Sequence, residues 1–172
     1  MKLVEITKEW FQETSLDAFT RRNQVTEVYR RQEDGSFRTV PASFTDDWDE
    51  AKKRKVAQRL LDEQTVSFAI LDSETNDITA FVSMDRNLRD GRMTVEHLHV
   101  DKDYRRQGMG AMLLGIAKAA AKQNGGSGLF VPVDSDAETV AFFRAMGGRI
   151  AEKMPEDIAA KDPYGLPFVL GL

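Results

Sequence analysis

The sequence contains no cysteine and only two histidines, His97 and His99. The absence of cysteine excludes a disulfide-stapled fold, a thiolate nucleophile and a cysteine-ligated zinc site. Two histidines are too few for a histidine-rich metal site, so we expect no metal. A reducing intracellular compartment fits this composition.

The chain also lacks any apolar run close to the roughly 20 residues that a membrane helix needs. Charged residues at positions 5, 8 and 9 interrupt any signal-peptide hydrophobic segment. Neither sign of charge dominates, since 24 Lys and Arg oppose 28 Asp and Glu, and a net charge of −4 indicates no general nucleic-acid binding. We therefore expect a cytoplasmic protein that acts on a small molecule, with no membrane or nucleic-acid partner.

No repeat, low-complexity tract or Pro/Gly-rich linker divides the 172 residues, of which 41% are hydrophobic. That content is enough for one hydrophobic core and falls short of what two cores usually need. We expect a single domain that spans residues 1–172.

The first half of the chain combines strand patterns with helix patterns. Alternation over residues 2–7 predicts a strand, the apolar spacing over residues 8–23 predicts one or two short helices, and Asp34-Gly35 predicts a hairpin turn. A helix over residues 16–31 is the alternative to the hairpin. Acidic residues followed by basic ones predict a further helix over residues 45–64, in the order that the helix dipole favours.

The second half has the pattern of a strand meander followed by a strand–helix–strand unit. This order predicts an α+β fold with a mixed, mostly antiparallel sheet. The predicted elements are strands at 66–71, 78–84 and 93–100, a helix at 107–124, a strand at 129–133, a helix at 136–146 and a C-terminal strand around 168–170.

The most informative segment is the loop between the predicted strand 93–100 and the helix that follows it. Gly108 and Gly110 let an anion approach the backbone at a helix N-terminus, where N–H groups are unpaired, and Arg105 and Arg106 add positive charge. These features favour a diphosphate ligand. The alternative is a glycine-bearing loop that only turns the chain.

Two common nucleotide-binding motifs fit this loop poorly. No Gly-Lys-Ser or Gly-Lys-Thr occurs, which excludes a P-loop. A GxGxxG fingerprint would begin at Gly108 but meets Leu113 at its third glycine position, although Asp134 mimics the ribose-binding acid. The antiparallel strands that precede the loop also do not suit a doubly wound sheet.

Residues 105–110, Arg-Arg-Gln-Gly-Met-Gly, resemble the R/Q-x-x-G-x-G/A motif of the GNAT superfamily of acetyl-CoA-dependent N-acetyltransferases. Residues 96–100 resemble the fourth strand of that family, and residues 135–148 resemble its fourth helix and the glycine that closes it. The resemblance covers most of residues 60–150. Less specific similarity at both ends of the chain points to a small-molecule branch of bacterial members.

The resemblance implies the GNAT fold, in which helices flank a sheet that splays between its fourth and fifth strands. It also implies acetyl-CoA as the acetyl-donor cosubstrate, with its pantetheine arm in the gap and paired with backbone groups of Leu98 and Val100. The N–H groups of residues 106–111 would hold the diphosphate, and an N–H near a bulge in the fourth strand would polarise the thioester carbonyl. The implied donor-binding residues are Leu98, His99, Val100, Arg105, Arg106, Gln107, Gly108, Met109, Gly110, Ala111, Asp136 and Phe143.

An enzyme that acetylates an amine needs a base, because free amines have pKa values of about 8 to 10.4. Glu96 is the first candidate for this catalytic role, since it lies on the strand that would flank the acetyl group. Its alternative role is a salt bridge at the rim. His97 and His99 are the next candidates, or else packed imidazoles, and without a bulge both would point to the strand face opposite Glu96.

The sequence departs from the family pattern on the fourth helix. Many GNAT members place there a tyrosine that protonates the CoA thiolate, but the corresponding residue is Phe143, which has no proton to donate. Asp136 stands where an asparagine is common. The alternatives to this tyrosine are protonation of the thiolate by water, protonation by another residue such as Tyr104 or Tyr164, or departure of an unprotonated thiolate. Residues 135–138 have the form of a capping box, which predicts structural rather than catalytic roles for Ser135 and Glu138.

The resemblance places the wall of the acceptor site between the first and second strands. Arg21, Arg22 and Arg30 lie there close to Tyr29, and a guanidinium beside an aromatic face is a common clamp for a carboxylate. We therefore predict substrate contacts from Arg21, Arg22 and Tyr29. The alternative is that these arginines are ordinary surface charges.

The predicted function is acetyl transfer from acetyl-CoA to the amine of a small molecule, such as an amino acid or amino metabolite, by direct attack in a ternary complex. One alternative is a GNAT-fold domain that binds acyl-CoA with little or no catalysis, as the presence of Phe143 suggests. A protein N-acetyltransferase is another. A homodimer is among the assemblies that the resemblance allows.

Overall fold

The computed structural model describes all 172 residues, which form a seven-stranded sheet, a separate two-stranded hairpin and four helices. The strands are β1 (Lys2–Glu5), β2 (Arg22–Arg31), β3 (Phe37–Asp47), β4 (Thr65–Leu71), β5 (Ile78–Asp85), β6 (Arg92–Val100), β7 (Gly128–Val133), β8 (Arg149–Ile150) and β9 (Leu166–Gly171). The helices are α1 (Glu50–Leu60), α2 (Met109–Gln123), α3 (Ala137–Ala145) and α4 (Glu156–Ala159). None of these helices has both the length and the hydrophobicity that a membrane crossing requires.

The large sheet has the strand order β1-β4-β5-β6-β7-β9-β8 and is antiparallel except between β6 and β7. These two strands pair in parallel over only three positions, 92–94 with 128–130, and then separate. The predicted α+β fold is therefore confirmed, as is the sheet that splays between its fourth and fifth strands. The sequence patterns predict neither the short strand β8 nor the short helix α4.

The sheet separates two hydrophobic clusters, because successive side chains of a strand point to opposite faces. The larger cluster is formed with α2 and α3 and includes Met84, Val95, Leu113, Val140 and Phe168. The smaller one is formed with α1 and the segment after β1, and includes Phe11, Leu16, Phe19, Leu60 and Phe81. Helix α1 is thereby fixed against the face of β5 opposite the one that α2 covers.

The segment between β1 and β2 is the main departure from the predicted secondary structure. Instead of one or two helices within residues 8–23, the chain forms consecutive turns at 8–10 and 13–18. Phe11 and Leu16 are both buried and lie five residues apart, a spacing that would place them about 140° apart around a helix. Turns allow both side chains to enter the cluster beneath α1.

The hairpin predicted around Asp34-Gly35 is confirmed, and the alternative helix over residues 16–31 is wrong. Strands β2 and β3 pair antiparallel, and Gly35 in the turn has a φ of 83°, a conformation that glycine adopts without steric cost. The hairpin forms a sheet of its own and is fastened to the start of α3 by a bridge between Val28 and Asp136.

Helix α1 begins later than the sequence pattern predicts. The helix predicted over 45–64 starts at Glu50, because β3 continues to residue 47 and the Asp49 carboxylate caps the helix by accepting the Lys52 N–H at 2.7 Å. Asp136 caps α3 in the same way at 2.9 Å. Ser135, which the capping-box form would make the cap, does not cap α3, and its Oγ accepts a hydrogen bond from Arg30 instead.

Candidate active site

The separation of β6 and β7 opens a cleft of about 1030 Å³. Both strands line it, together with the loop before α2, the inner side of α3, the end of β3 and the beginning of α1. The cleft therefore joins the predicted diphosphate loop to the segment after the hairpin, which lies far from that loop in the sequence.

Most of the predicted site residues line this cleft. They are Arg21, Glu96, His97, Leu98, His99, Val100, Arg105, Arg106, Gly108, Met109, Gly110, Ala111, Asp136 and Phe143. Gln107, Arg22 and Tyr29 do not. Gln107 is exposed in the loop just before α2.

The N-terminus of α2 presents unpaired N–H groups to the cleft. The N–H groups of residues 106–111 donate to no acceptor within the protein, as is usual for a first helical turn. Gly108 has a φ of 81°, and a Cβ at this position would meet nothing within 4 Å, so a ligand has room to approach the backbone. With the positive charges of Arg105 and Arg106 beside it, this end of the cleft is suited to an anion.

The edge of β6 presents further backbone groups to the gap. The Asp101 N–H donates to Thr79 O, on the side of β5. Successive residues of a strand direct their N–H and C=O groups to alternate sides, so the backbone groups of Leu98 and Val100 point away from β5 and into the gap. The Val100 carbonyl accepts a hydrogen bond from Arg105 Nε at 3.3 Å. An extended ligand with amide groups can pair with this edge.

Strand β6 contains a bulge at Glu96. The register with β5 shifts between Ser83 and Met84, so that Glu96 has no partner residue in β5. A bulge reverses the alternation of side chains beyond it. His97 and His99 consequently lie on the same face as Glu96, the face covered by α1, because the bulge removes the regular alternation under which they would point to the opposite face.

The Glu96 carboxylate is held by a guanidinium from α1. Arg59 donates from Nε to Oε2 at 2.8 Å and from Nη2 to Oε1 at 2.7 Å. The hydrogen bond to Glu96 is the largest cause that raises the pKa of Arg59 above its ordinary value. Glu96 therefore forms the salt bridge given as its alternative role, and it also lines the cleft. Each carboxylate oxygen keeps a second lone pair that can accept a proton or a hydrogen bond.

His97 and His99 are uncharged at neutral pH. Burial lowers the pKa of His97 from 6.5 to about 4, and the positive charges of Lys52 and Arg59 add to this effect. Burial likewise lowers the pKa of His99 well below its usual value. The Trp48 ring centroid lies 6.2 Å from that of His97 and 4.6 Å from that of His99. The two imidazoles are therefore neutral, packed side chains and weak proton acceptors.

Among the predicted acceptor-binding arginines, Arg21 reaches the cleft. Its side chain is buried, and its guanidinium nitrogens lie 2.8 Å from an Asp46 oxygen and 3.4 Å from an Asp134 oxygen. Burial raises the pKa of Asp134, and the nearby Arg21 opposes this shift. Because two carboxylates already share this guanidinium, Arg21 is not free to clamp a substrate carboxylate.

Arg22, Arg30 and Tyr29 belong to the hairpin and lie outside the cleft. Arg22 is exposed at the first position of β2. Arg30 donates to Ser135 Oγ at 3.0 Å and lies 4.2 Å from the centre of the Tyr164 ring. The Tyr29 hydroxyl accepts a hydrogen bond from an arginine of α3 at 3.3 Å. Arg30 and Tyr29 fasten the hairpin to the rest of the domain.

None of the three tyrosines of the chain lines the cleft. Tyr104 faces a separate surface pocket, and Tyr164 packs against Arg30. Neither is placed to substitute for the proton donor that the family carries on its fourth helix. Phe143 does line the cleft and is buried against Phe168, with 6.1 Å between their ring centroids.

A sequence model of the acetyltransferase (GNAT) domain matches residues 25–153, which is most of the chain. The chain belongs to the GNAT acetyltransferase family. It is therefore an acyltransferase, and acetyl-CoA is its acetyl donor.

Several solved acetyltransferase structures are similar to this chain in fold. A nourseothricin acetyltransferase is 20% identical with a TM-score of 0.73, and the alignment covers 98% of this chain and 95% of the other. A putative streptothricin acetyltransferase from Bacillus anthracis str. Ames, in complex with acetyl coenzyme A, is 18% identical with a TM-score of 0.73 and coverages of 100% and 99%. An aminoglycoside 6'-acetyltransferase type Ii is 15% identical with a TM-score of 0.57 and coverages of 69% and 76%. No curated protein matches the sequence.

The cleft of this GNAT acetyltransferase includes residues that sequence patterns do not select as site residues. They come from the ends of β2, β3 and β7 and the beginning of α1, and are Asn23, Asp46, Asp47, Trp48, Lys52 and Asp134. Trp48, an aromatic residue directly before the Asp49 cap, has a local signal, and so does Asp134 at the end of a predicted strand. The course of the hairpin brings Asn23, Asp46 and Asp47 to the cleft, and α1 brings Lys52.

We expect His97→Gln to reduce the loss of stability on acidification. The folded-state pKa of about 4 lies below the ordinary 6.5, so the unfolded chain binds a proton that the folded chain does not. The stability linked to this imidazole is present above the unfolded pKa and is lost as the pH falls toward the folded value. Thermal unfolding from about pH 7 to about pH 4.5 should show a smaller decrease in Tm for the variant. Equal decreases in both proteins would contradict a neutral, enclosed His97.

Proposed function

We propose that this enzyme transfers the acetyl group of acetyl-CoA to the amine of a small cationic molecule, by direct attack in a ternary complex. The observation that carries the proposal is the position of Glu96, at the bulge of β6 and on the wall of the cleft that opens where β6 leaves β7. Acetyl-CoA supplies the acetyl group as an activated thioester. The residues of the chain bind both substrates and accept the proton of the amine.

The donor-binding part of the proposal uses the anion-accepting end of the cleft. The unpaired N–H groups of residues 106–111, with Arg105 and Arg106, hold the diphosphate. The backbone edge at Leu98 and Val100 pairs with the amides of the pantetheine arm. A backbone N–H at the bulge polarises the thioester carbonyl.

Glu96 accepts the proton of the amine, directly or through water. Attack requires an unprotonated amine, and the Glu96 carboxylate lines the cleft with lone pairs that Arg59 leaves free. His97 is the weaker candidate because its pKa of about 4 disfavours uptake of a proton. Because the cleft contains no tyrosine, we propose that solvent protonates the departing CoA sulfur.

The charges that line the cleft beside the hairpin favour a cationic acceptor. Asp46, Asp47 and Asp134 are opposed there by Arg21, which two of them share, and by Lys52, so carboxylates outnumber cations. The neutral His97 and the Trp48 ring add aromatic surface, which attracts ammonium groups. This part of the proposal replaces the carboxylate clamp that the arginine-rich segment suggests.

The full-length structural neighbours support a small acceptor. They are named as acetyltransferases of nourseothricin and of streptothricin, and both align over nearly the whole chain. Their identities of 18% to 20% establish a shared fold.

We expect Gly108→Glu to weaken acetyl-CoA binding by about tenfold or more, because it places a carboxylate where the diphosphate approaches. Gly115→Glu is the matched control, since it adds the same charge on an exposed position of α2 where a Cβ also meets nothing within 4 Å. Calorimetric titration of both folded variants measures the effect. Equal affinities of the two variants for acetyl-CoA would contradict diphosphate binding at this loop.

We expect the decarboxylated diamine of lysine to be acetylated with a kcat/KM about tenfold above that of lysine itself, because the two differ only in a carboxylate that the acidic cleft repels. Acetyl-CoA-dependent thiol release over a panel of amines, with a peptide of free α-amino group included, is the measurement. A preference for lysine would contradict the cationic acceptor and support a substrate carboxylate bound by arginine. A preference for the peptide would favour protein acetylation. Absence of turnover with every amine would contradict the proposed reaction.

We expect Glu96→Gln to lower kcat by about 10²- to 10⁴-fold, the range typical of a lost general base. The affinity for acetyl-CoA should change little, because the side chain contacts the acceptor. Glu50→Gln is the control, since Glu50 is an exposed carboxylate of α1 that also pairs with an arginine. Turnover of Glu96→Gln close to that of the wild type would assign proton removal to His97, His99 or water.

A further inference from the structure

Helix α1 carries two arginines, and they have different environments. Arg54 lies on the outer surface, where it pairs with Asp17 at 3.0 Å and with Glu50 at 2.7 Å. Arg59, in the last turn, reaches across to β6 and binds both oxygens of Glu96. Only the second arginine is connected to the cleft, and the connection runs through the Glu96 carboxylate.

We propose that Arg59 is a positioning residue that holds the Glu96 carboxylate in the orientation required to accept the proton of the acceptor amine. The inference rests on the proposed function of Glu96. Arg59 does not itself line the cleft, so its effect on the reaction passes through the carboxylate.

The geometry of the pair supports an orienting role. A guanidinium that donates two parallel hydrogen bonds fixes the plane of a carboxylate, which a single contact does not. The two N–O distances of 2.7 and 2.8 Å are those of charge-assisted hydrogen bonds. Glu96 lies on a bulge and has no partner residue in β5, and the fork from Arg59 determines where its remaining lone pairs point.

Arg59 is itself held from several directions. Its guanidinium lies 3.4 Å from Asp62, which follows α1, and 3.6 Å from Asp85 at the end of β5. The inner face of α1 is buried through Val56, Ala57 and Leu60, which fixes the helix that carries Arg59. The arginine is thus supported by rigid elements, which is what orientation of a second residue requires.

The salt bridge has one proposed role and one alternative. In the proposed role, it sets the orientation of the carboxylate that accepts the amine proton. The alternative is that the salt bridge only connects α1 to β6 and has no effect on turnover.

A double-mutant cycle distinguishes these roles. Arg59→Gln, Glu96→Gln and the double variant are assayed at saturating acetyl-CoA with the best amine of the panel, and Arg54→Gln is the control from the same helix. We expect Arg59→Gln to lower kcat by up to about 10²-fold with little change in the KM for acetyl-CoA, because a misplaced catalytic group costs rate rather than donor binding. In the Glu96→Gln background it should have no further effect, and Arg54→Gln should match the wild type.

Arg59→Lys adds a second test, which also serves if Arg59→Gln fails to fold. The lysine side chain keeps the positive charge but lacks the planar fork of the guanidinium. The kcat of the Arg59→Lys variant should therefore lie between those of the wild type and Arg59→Gln. Unchanged turnover in Arg59→Gln, or an equal loss in both backgrounds, would overturn the positioning role and leave a structural salt bridge. If Glu96→Gln itself retains turnover, the proposed base is wrong, and the cycle reveals this separately from the role of Arg59.

Discussion

Strands β6 and β7 pair over three positions and then separate, and the cleft depends on this gap. Beyond it, the backbone groups of Leu98 and Val100 have no strand partner, and α2 begins at the same end with its N–H groups unpaired. Backbone groups withdrawn from water need hydrogen-bond partners. An extended ligand with amides along its length and a diphosphate at its end satisfies the strand edge and the helix terminus together, and acetyl-CoA has this chemistry.

The second constraint is the pairing of charges around the bulge. Arg59 binds Glu96 from α1, and Arg21 is shared by Asp46 and Asp134. Both guanidinium groups are occupied by carboxylates of the protein, so neither is left to bind an anionic substrate. The same arrangement keeps Glu96 beside the cleft with lone pairs that Arg59 leaves free, and carboxylates outnumber cations among Asp46, Asp47, Asp134, Arg21 and Lys52 of the cleft wall.

The second half of the fold and the α2 loop could be predicted from sequence because their determinants are local. Alternating strands, two glycines at a helix start and a neighbouring arginine pair are visible in consecutive residues. The turns around Phe11 and Leu16 could not, since burial against α1 decides them. The Glu96–Arg59 pair joins residues 37 positions apart, and the bulge that exposes Glu96 appears only in the strand register. The hairpin residues of the cleft, such as Asp46, are likewise placed by tertiary structure.

The most direct test is a crystal structure of the complex with acetyl-CoA. We predict that the pantetheine arm lies between β6 and β7, that the diphosphate contacts the N–H groups of residues 106–111, and that the thioester carbonyl lies at the bulge within reach of Glu96. Acetyl-CoA bound outside this gap, or with its thioester remote from Glu96, would contradict the proposed site.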